Sequence, residues 1–297
     1  MNTSSVTNDW TRFAARFGTP KGDVEAFLNP PDTIPTGLHV LDREYLNGGM
    51  VPGVYTVMAE PGTGKSALAL QVAMNVAGQG GRVLYLTAEL TRNECVARAA
   101  SSLSATEGSD VPAFSWSDWE RMGRNEEGRK HGQDAIRQLH TICPGIVFAD
   151  TLGIGDADAI DAVAEEAKAA GMQLLVVDYL QAIDPPHVEG ATQFEGITSV
   201  CKLFTALAKE LQVPVLLISS MGRAAQASGP DTVGGGYGTS RIEYDAQAQM
   251  RLTKTAETFE GGRVVKLHVT KNRRGPTTPG KGIELAFDGA HNRFTDF

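Results

Sequence analysis

The stretch AEPGTGKS at residues 59–66 restricts the fold of this chain more than any other. It lies between a short apolar run, VYTVMA (54–59), and an apolar helical segment, KSALALQVAMNVAG. Its spacing is that of the phosphate-binding consensus G-x-x-x-x-G-K-[ST], with Ala59 in place of the first glycine. Gly62 and Gly64 let the backbone curl until successive N–H groups face a phosphate, and the helix N-terminus adds partial positive charge. Lys65 is placed to neutralise the β and γ phosphates and Ser66 to offer a hydroxyl to Mg²⁺. Glu60, Pro61 and Thr63 complete the loop as ATP-binding residues. Ala59 only has to fit the turn out of the strand. The competing interpretation is an ordinary glycine-rich turn between a strand and a helix.

Strand and helix patterns alternate around this loop. RVLYLTA (82–88), GIVFA (145–149), QLLVVDYLQ (173–181) and VPVLLISS are strand-like, and the last two have the unbroken apolar character of strands buried on both faces. NECVARAASSL and DADAIDAVAEEAKAAG are helical, and Ile197, Val200, Cys201, Phe204, Leu207, Ala208 and Leu211 form one stripe of a further helix. Such alternation predicts an α/β fold, a mostly parallel sheet flanked by helices. Three later runs, 246–253, 263–270 and 282–287, have no helices between them and predict an antiparallel C-terminal extension. Residues 104–134 are polar and suggest a mobile excursion or small insertion. Residues 1–32 form an N-terminal extension, and 33–297 the main domain. In the extension Trp10, Phe13 and Phe17 share one helical face, and DVEAFL (23–28) is a second short fragment. Both are too short to fold alone.

Composition narrows the setting. No apolar run approaches the roughly 18 residues of a membrane span, and the N-terminus lacks the charged-then-apolar pattern of a signal peptide. Cys95, Cys143 and Cys201 have neither metal-ligand spacing nor an even count, which suits buried thiols in a reducing cytoplasm. The net charge of −8 is uneven: residues 261–297 hold seven Lys/Arg against three Asp/Glu, so this tail is +4 and the remainder −12. A local basic strip can meet phosphates despite an acidic total, although a solvated strand pair has the same composition.

Two carboxylates extend the phosphate site. Asp178 ends the apolar strand LLVVD, where it would hold Mg²⁺ through water, alongside Ser66. Glu89 ends LYLTAE, where it would orient and deprotonate an attacking water. The alternative for Glu89 is an acid at the start of the next helix.

In this order, these segments resemble the C-terminal motor domain of DnaB-type replicative helicases, a branch of the RecA-like P-loop ATPases. IPTGLHVLDREYLNGGMVPG is similar to that family's opening segment, and its phosphate loop often begins with alanine. LYLTAELTRNECVARAAS, VVDYLQAI, SRIEYDAQAQMRL, TKNRRGPT and IELAFDGAHNRFTDF match later segments in sequence order. The resemblance covers residues 33–297. It implies ATP bound between subunits of a hexameric ring, with Lys271 and Arg273 of KNRRG inserted as basic fingers by a neighbour. Two apart on a strand, they would point the same way. It further implies a DNA-stimulated ATPase that moves on single-stranded DNA and unwinds duplex during replication, with a primase or loader as partner. DNA would be held by 184–194 and by Met221–Arg241, through Arg223, Tyr237 and Arg241.

The sequence also departs from the family. Ser220 stands where a glutamine senses the γ-phosphate, and Tyr237 and Gly238 replace an Arg-Glu pair that helps hold DNA. Only about 32 residues precede the motor, so the N-terminal collar domain is expected to be missing; Trp10, Phe13 and Phe17 are candidates for a helix that docks on a neighbour. Two other readings stay open: a recombination or repair ATPase of the RadA group, and a nucleotide-gated regulatory assembly resembling the KaiC group.

Overall fold

The computed structural model describes residues 28, 32–150, 157–185, 192–221 and 244–296. Within the unit Ile34–Phe297, the strands are β1 (Gly53–Ala59), β2 (Val83–Thr87), β3 (Ile146–Asp150), β4 (Leu174–Asp178), β5 (Pro214–Ser220), β6 (Ala248–Phe259), β7 (Gly262–Asn272), β8 (Ile283–Asp288) and β9 (Arg293–Asp296). The principal helices are α1 (Lys65–Gly78), α2 (Arg92–Ser104), α3 (Glu126–Ile142), α4 (Ala157–Ala169) and α5 (Gln193–Glu210).

The nine strands form one sheet in the order β3-β2-β4-β5-β1-β6-β7-β8-β9. From β3 to β6 every pairing is parallel, and from β6 to β9 every pairing is antiparallel. The α/β expectation, with its antiparallel extension, describes the molecule. Alternate side chains of each central strand enter different cores. Tyr55 and Val57 of β1, Val83 and Tyr85 of β2, Leu174 and Val176 of β4, and Leu216 and Ile218 of β5 join the core under α1 and α2. Their neighbours Val54, Leu84, Leu175, Val177, Val215 and Leu217 pack against α4 and α5. Burial on both faces is why these strands read as continuous apolar runs.

Two details differ from the sequence expectation. The polar stretch 104–134, expected as a mobile excursion or small insertion, leads into α3, capped by the Asn125 side chain, which accepts the Gly128 N–H at 2.7 Å. Ala135 of α3 joins Ala100, Val111 and Phe114 in a small satellite core, and Phe114 stacks on Trp119 at 6.0 Å. Only Ala135 and Leu139 of α3 are buried, so its apolar stripe is too thin to stand out in the sequence. The strand β9 is also absent from the expectation, because in its four residues only Phe294 is buried. All three cysteines are buried and unbridged.

Phe204 of α5 is fully buried between helix and sheet. Phe204→Ala is expected to destabilise the protein by about 3–5 kcal/mol, read as a lower denaturation midpoint with little change in the slope of the transition.

Candidate nucleotide site

The phosphate loop leaves the C-terminal end of β1, the strand paired on either side with β5 and β6. Gly62 and Gly64 both have positive φ, +70° and +104°. At Gly64 a Cβ would lie 2.9 Å from Phe287 and 3.0 Å from Phe294, so the loop rests directly on that stacked aromatic pair. Outward-facing carbonyls are gripped by cations of the C-terminal hairpin: Lys254 Nζ donates to Pro61 O at 2.9 Å and the Arg263 guanidinium donates to Gly62 O. The first amides of α1 have no intrahelical acceptor. Gly64 offers no side-chain cap and the first turn carries no acid, whereas α2 and α5 are closed by their own capping boxes, Thr91–Glu94 and Thr192–Glu195. The end of α1 is thus a ready anion site.

Asp178 ends β4 and is almost wholly buried. Its Oδ1 accepts the Ser66 hydroxyl at 3.0 Å and its Oδ2 accepts the Tyr85 hydroxyl at 2.8 Å. A serine hydroxyl beside a carboxylate is a hard oxygen pair. It fits Mg²⁺, which takes one or two protein ligands and fills its other positions with water and phosphate oxygens. Burial pushes the Asp178 carboxyl up, against the Tyr85 and Ser66 hydroxyls and the Lys65 charge, which pull it down. Lys65 Nζ lies 5.8 Å from the Tyr179 ring centre.

Glu89 lies just beyond β2, where Thr87 Oγ1 donates to Leu90 O at 2.8 Å and accepts the Leu90 N–H at 3.0 Å. This tight turn presents Glu89 to solvent at the rim of a cavity of about 340 Å³, which Gly62, Gly64, Lys65 and Ser66 also line. The acid that caps α2 is Glu94, whose carboxylate accepts the Thr91 N–H at 2.8 Å.

Among the other residues that line this cavity, Arg98, Trp116, Arg263 and Asn292 were not singled out in the sequence. The Arg98 guanidinium lies 4.6 Å from the Trp116 ring centre and that of Arg263 lies 5.2 Å from the Phe287 ring centre. They converge from α2, the segment after it, the start of β7 and the turn before β9, so no local pattern joins them.

Lys271 and Arg273 do not belong to this cavity. Lys271 pairs with Gln249, which is level with Thr56, and Arg273 donates its N–H to Gln247 O. Gln247 in turn donates to Val54 O. That puts Arg273 level with the start of β1, about 20 Å along the sheet from the loop at roughly 3.3 Å per residue. Although Arg273 falls just past the end of β7, the two side chains do share a side: both donate to Tyr244 O, at 3.0 and 2.5 Å. At the end of β5, Ser220 donates its N–H to Gln181 Oε1 at 3.1 Å, and Gln181 Nε2 donates to Ser219 Oγ at 2.7 Å. Arg223, Tyr237 and Arg241, like Trp10, Phe13 and Phe17, lie outside the described residues.

Sheet order, flanking helices and the loop at the end of β1 define a RecA-like P-loop nucleotide-binding domain. The chain belongs to the DnaB-like helicase C terminal domain family, whose model matches residues 33–296. It is 26% identical over 272 residues to the replicative DNA helicase DnaB of Pasteurella multocida, covering 88% of this chain and 55% of that protein. It is 28% identical over 215 residues to the DNA repair protein RadA of Mycobacterium tuberculosis, covering 71% of this chain and 35% of the other. A solved structure of a DnaB-like replicative helicase superposes with a TM-score of 0.75 at 19% identity, covering 93% of this chain and 64% of that one. This chain therefore spans about half the length of the DnaB relative it matches.

Because the folded-state pKa of Asp178 is raised, its ionised form costs stability, and the cost disappears as the pH falls below that pKa. Asp178→Asn is expected to raise the melting temperature at pH 7 without nucleotide, by about 2–4 °C per kcal/mol recovered, while abolishing Mg²⁺-dependent nucleotide binding. Calorimetry and a nucleotide titration check the two halves separately.

Proposed function

We propose that this chain is the motor of a ring-forming, DNA-stimulated ATPase that moves on single-stranded DNA and acts as a replicative helicase. The observation that carries the reading is the separation of two basic clusters on one sheet. The phosphate loop leaves the C-terminal end of β1, and Lys271 and Arg273 sit at the other end, out of reach of it. Cations placed there serve a nucleotide only if it is bound by another copy, which calls for a closed ring or a filament.

In this reading the loop of residues 60–66 holds ATP, the amides from Gly62 onward cradle its phosphates, and Lys65 neutralises the β and γ phosphates. Ser66, and Asp178 through water, would hold Mg²⁺, which when bound would draw negative charge from the phosphate oxygens. Glu89 orients the attacking water and accepts its proton. Lys271 and Arg273 of the adjacent copy stabilise charge that grows on the γ-phosphoryl oxygens. Residues 33–297 form the motor, and residues 1–32 a docking extension between copies, in a hexamer. Arg223 and Arg241 contact the DNA backbone, which makes binding independent of sequence and sensitive to salt, and Tyr237 stacks on a base. A primase or loader is the expected partner and the cytoplasm the expected compartment.

The similarity to RadA supports a second reading, a recombination or repair ATPase, at lower coverage of this chain. Strand displacement separates the two, since remodelling without processive unwinding belongs to the second.

Steady-state ATP hydrolysis, with and without single-stranded DNA, tests the proposal alongside particle mass by light scattering. Turnover is expected to rise with DNA in a ring-sized particle and to fall about 10³-fold or more in Arg273→Ala, the scale of an arginine finger. Turnover indifferent to DNA, or a monomer in every nucleotide state, contradicts it.

A further inference from the structure

We propose that Tyr85 is a positioning residue for the carboxylate that holds the metal: its hydroxyl fixes the orientation of Asp178 so that Oδ1 faces Ser66. This rests on the nucleotide and Mg²⁺ reading given above and adds a residue to it.

The register of the sheet creates the contact. Tyr85 is level with Val176 and Thr87 with Asp178 across the parallel β2–β4 pair, so Tyr85 and Asp178 are diagonal neighbours on one face. The Tyr85 ring is fully buried and tilted against Phe148 at 5.6 Å. A phenol hydroxyl in such surroundings needs a partner, and Asp178 Oδ2 supplies it at 2.8 Å. The other oxygen, Oδ1, accepts from Ser66 at 3.0 Å.

These two contacts differ in kind. Ser66 lies on the first turn of α1 beside the cavity, where its hydroxyl oxygen would also face a bound cation. The Tyr85 hydroxyl sits in the core and donates to the other carboxylate oxygen, away from the cavity lining. A phenol is an O–H donor throughout the physiological range. A hydrogen bond that fixes a metal-holding carboxylate through its second oxygen affects cation affinity rather than the phosphate contacts, and loss of such partners costs about 10–100-fold in metal affinity.

Tyr85→Phe removes one oxygen and keeps the ring. Binding of a fluorescent ATP analogue would be titrated with Mg²⁺ for wild type and variant, with a parallel titration in EDTA and a melting curve for each. The expected result is a rise of about 10-fold in half-saturating Mg²⁺, with EDTA binding unchanged and a cooperative melt retained. An unchanged Mg²⁺ midpoint overturns the proposal and leaves the motor reading intact. A variant that does not fold, or that loses EDTA binding as well, also overturns it, by making Tyr85 a packing residue. A wild type with no Mg²⁺ dependence overturns the nucleotide reading and this inference with it.

Discussion

Parallel register across β2, β4, β5 and β1 is the constraint on which the site depends. Thr87 is level with Asp178, and Ala59 with Ser220, so these strands all finish at one edge of the sheet. The groups that face a nucleotide therefore come from strand ends and the turns directly after them, and the sheet's hydrogen bonds fix their spacing. Asp178 belongs to a strand buried on both faces and cannot move without shifting its neighbours. The same register brings the Tyr85 hydroxyl up to that carboxylate. A one-residue slip would turn either side chain to the opposite face.

The reversal between β6 and β7 has the complementary effect. β6 runs parallel to β1, so its far end brings Lys254 to the loop carbonyl of Pro61. β7 starts there with Arg263 beside Gly62 and runs back to the opposite edge, where Lys271 and Arg273 meet at the carbonyl of Tyr244. One hairpin thus braces the loop of its own chain at one end and displays a pair of cations at the other. The hairpin geometry divides the cations of the basic C-terminal tail between two ends of the sheet, which its composition alone does not show.

Much of this was legible because it is local. The strand, glycine turn and helix around residues 59–66 occupy one continuous stretch, and an acid after four buried residues marks Asp178 as a strand end. What escaped depends on contacts between distant segments. Tyr85 reads as one more apolar residue of a buried strand, and its hydroxyl matters only through register. Arg98, Trp116, Arg263 and Asn292 meet at the cavity from segments far apart in the chain. The role of PTGLHVLD was equally hidden: the Asp42 carboxylate accepts the N–H groups of Thr36 and Gly37, each at 2.9 Å, and so holds that turn. One missed signal was available. Thr91-Arg92-Asn93-Glu94 is a capping-box pattern, and it would have assigned the helix-capping acid to Glu94 rather than leaving Glu89 as a candidate.

A catalytic site assembled from two copies is tested most directly by mixing two inactive proteins. Lys65→Ala lacks a working cradle but keeps its fingers; Arg273→Ala keeps its cradle but lacks a finger. Mixed in equal amounts and allowed to exchange subunits, they should recover ATP hydrolysis at about a quarter of the sites, the share in which random assembly places an intact finger against an intact cradle. A mixture of exchanged subunits that hydrolyses no faster than the sum of its two components would contradict the shared site.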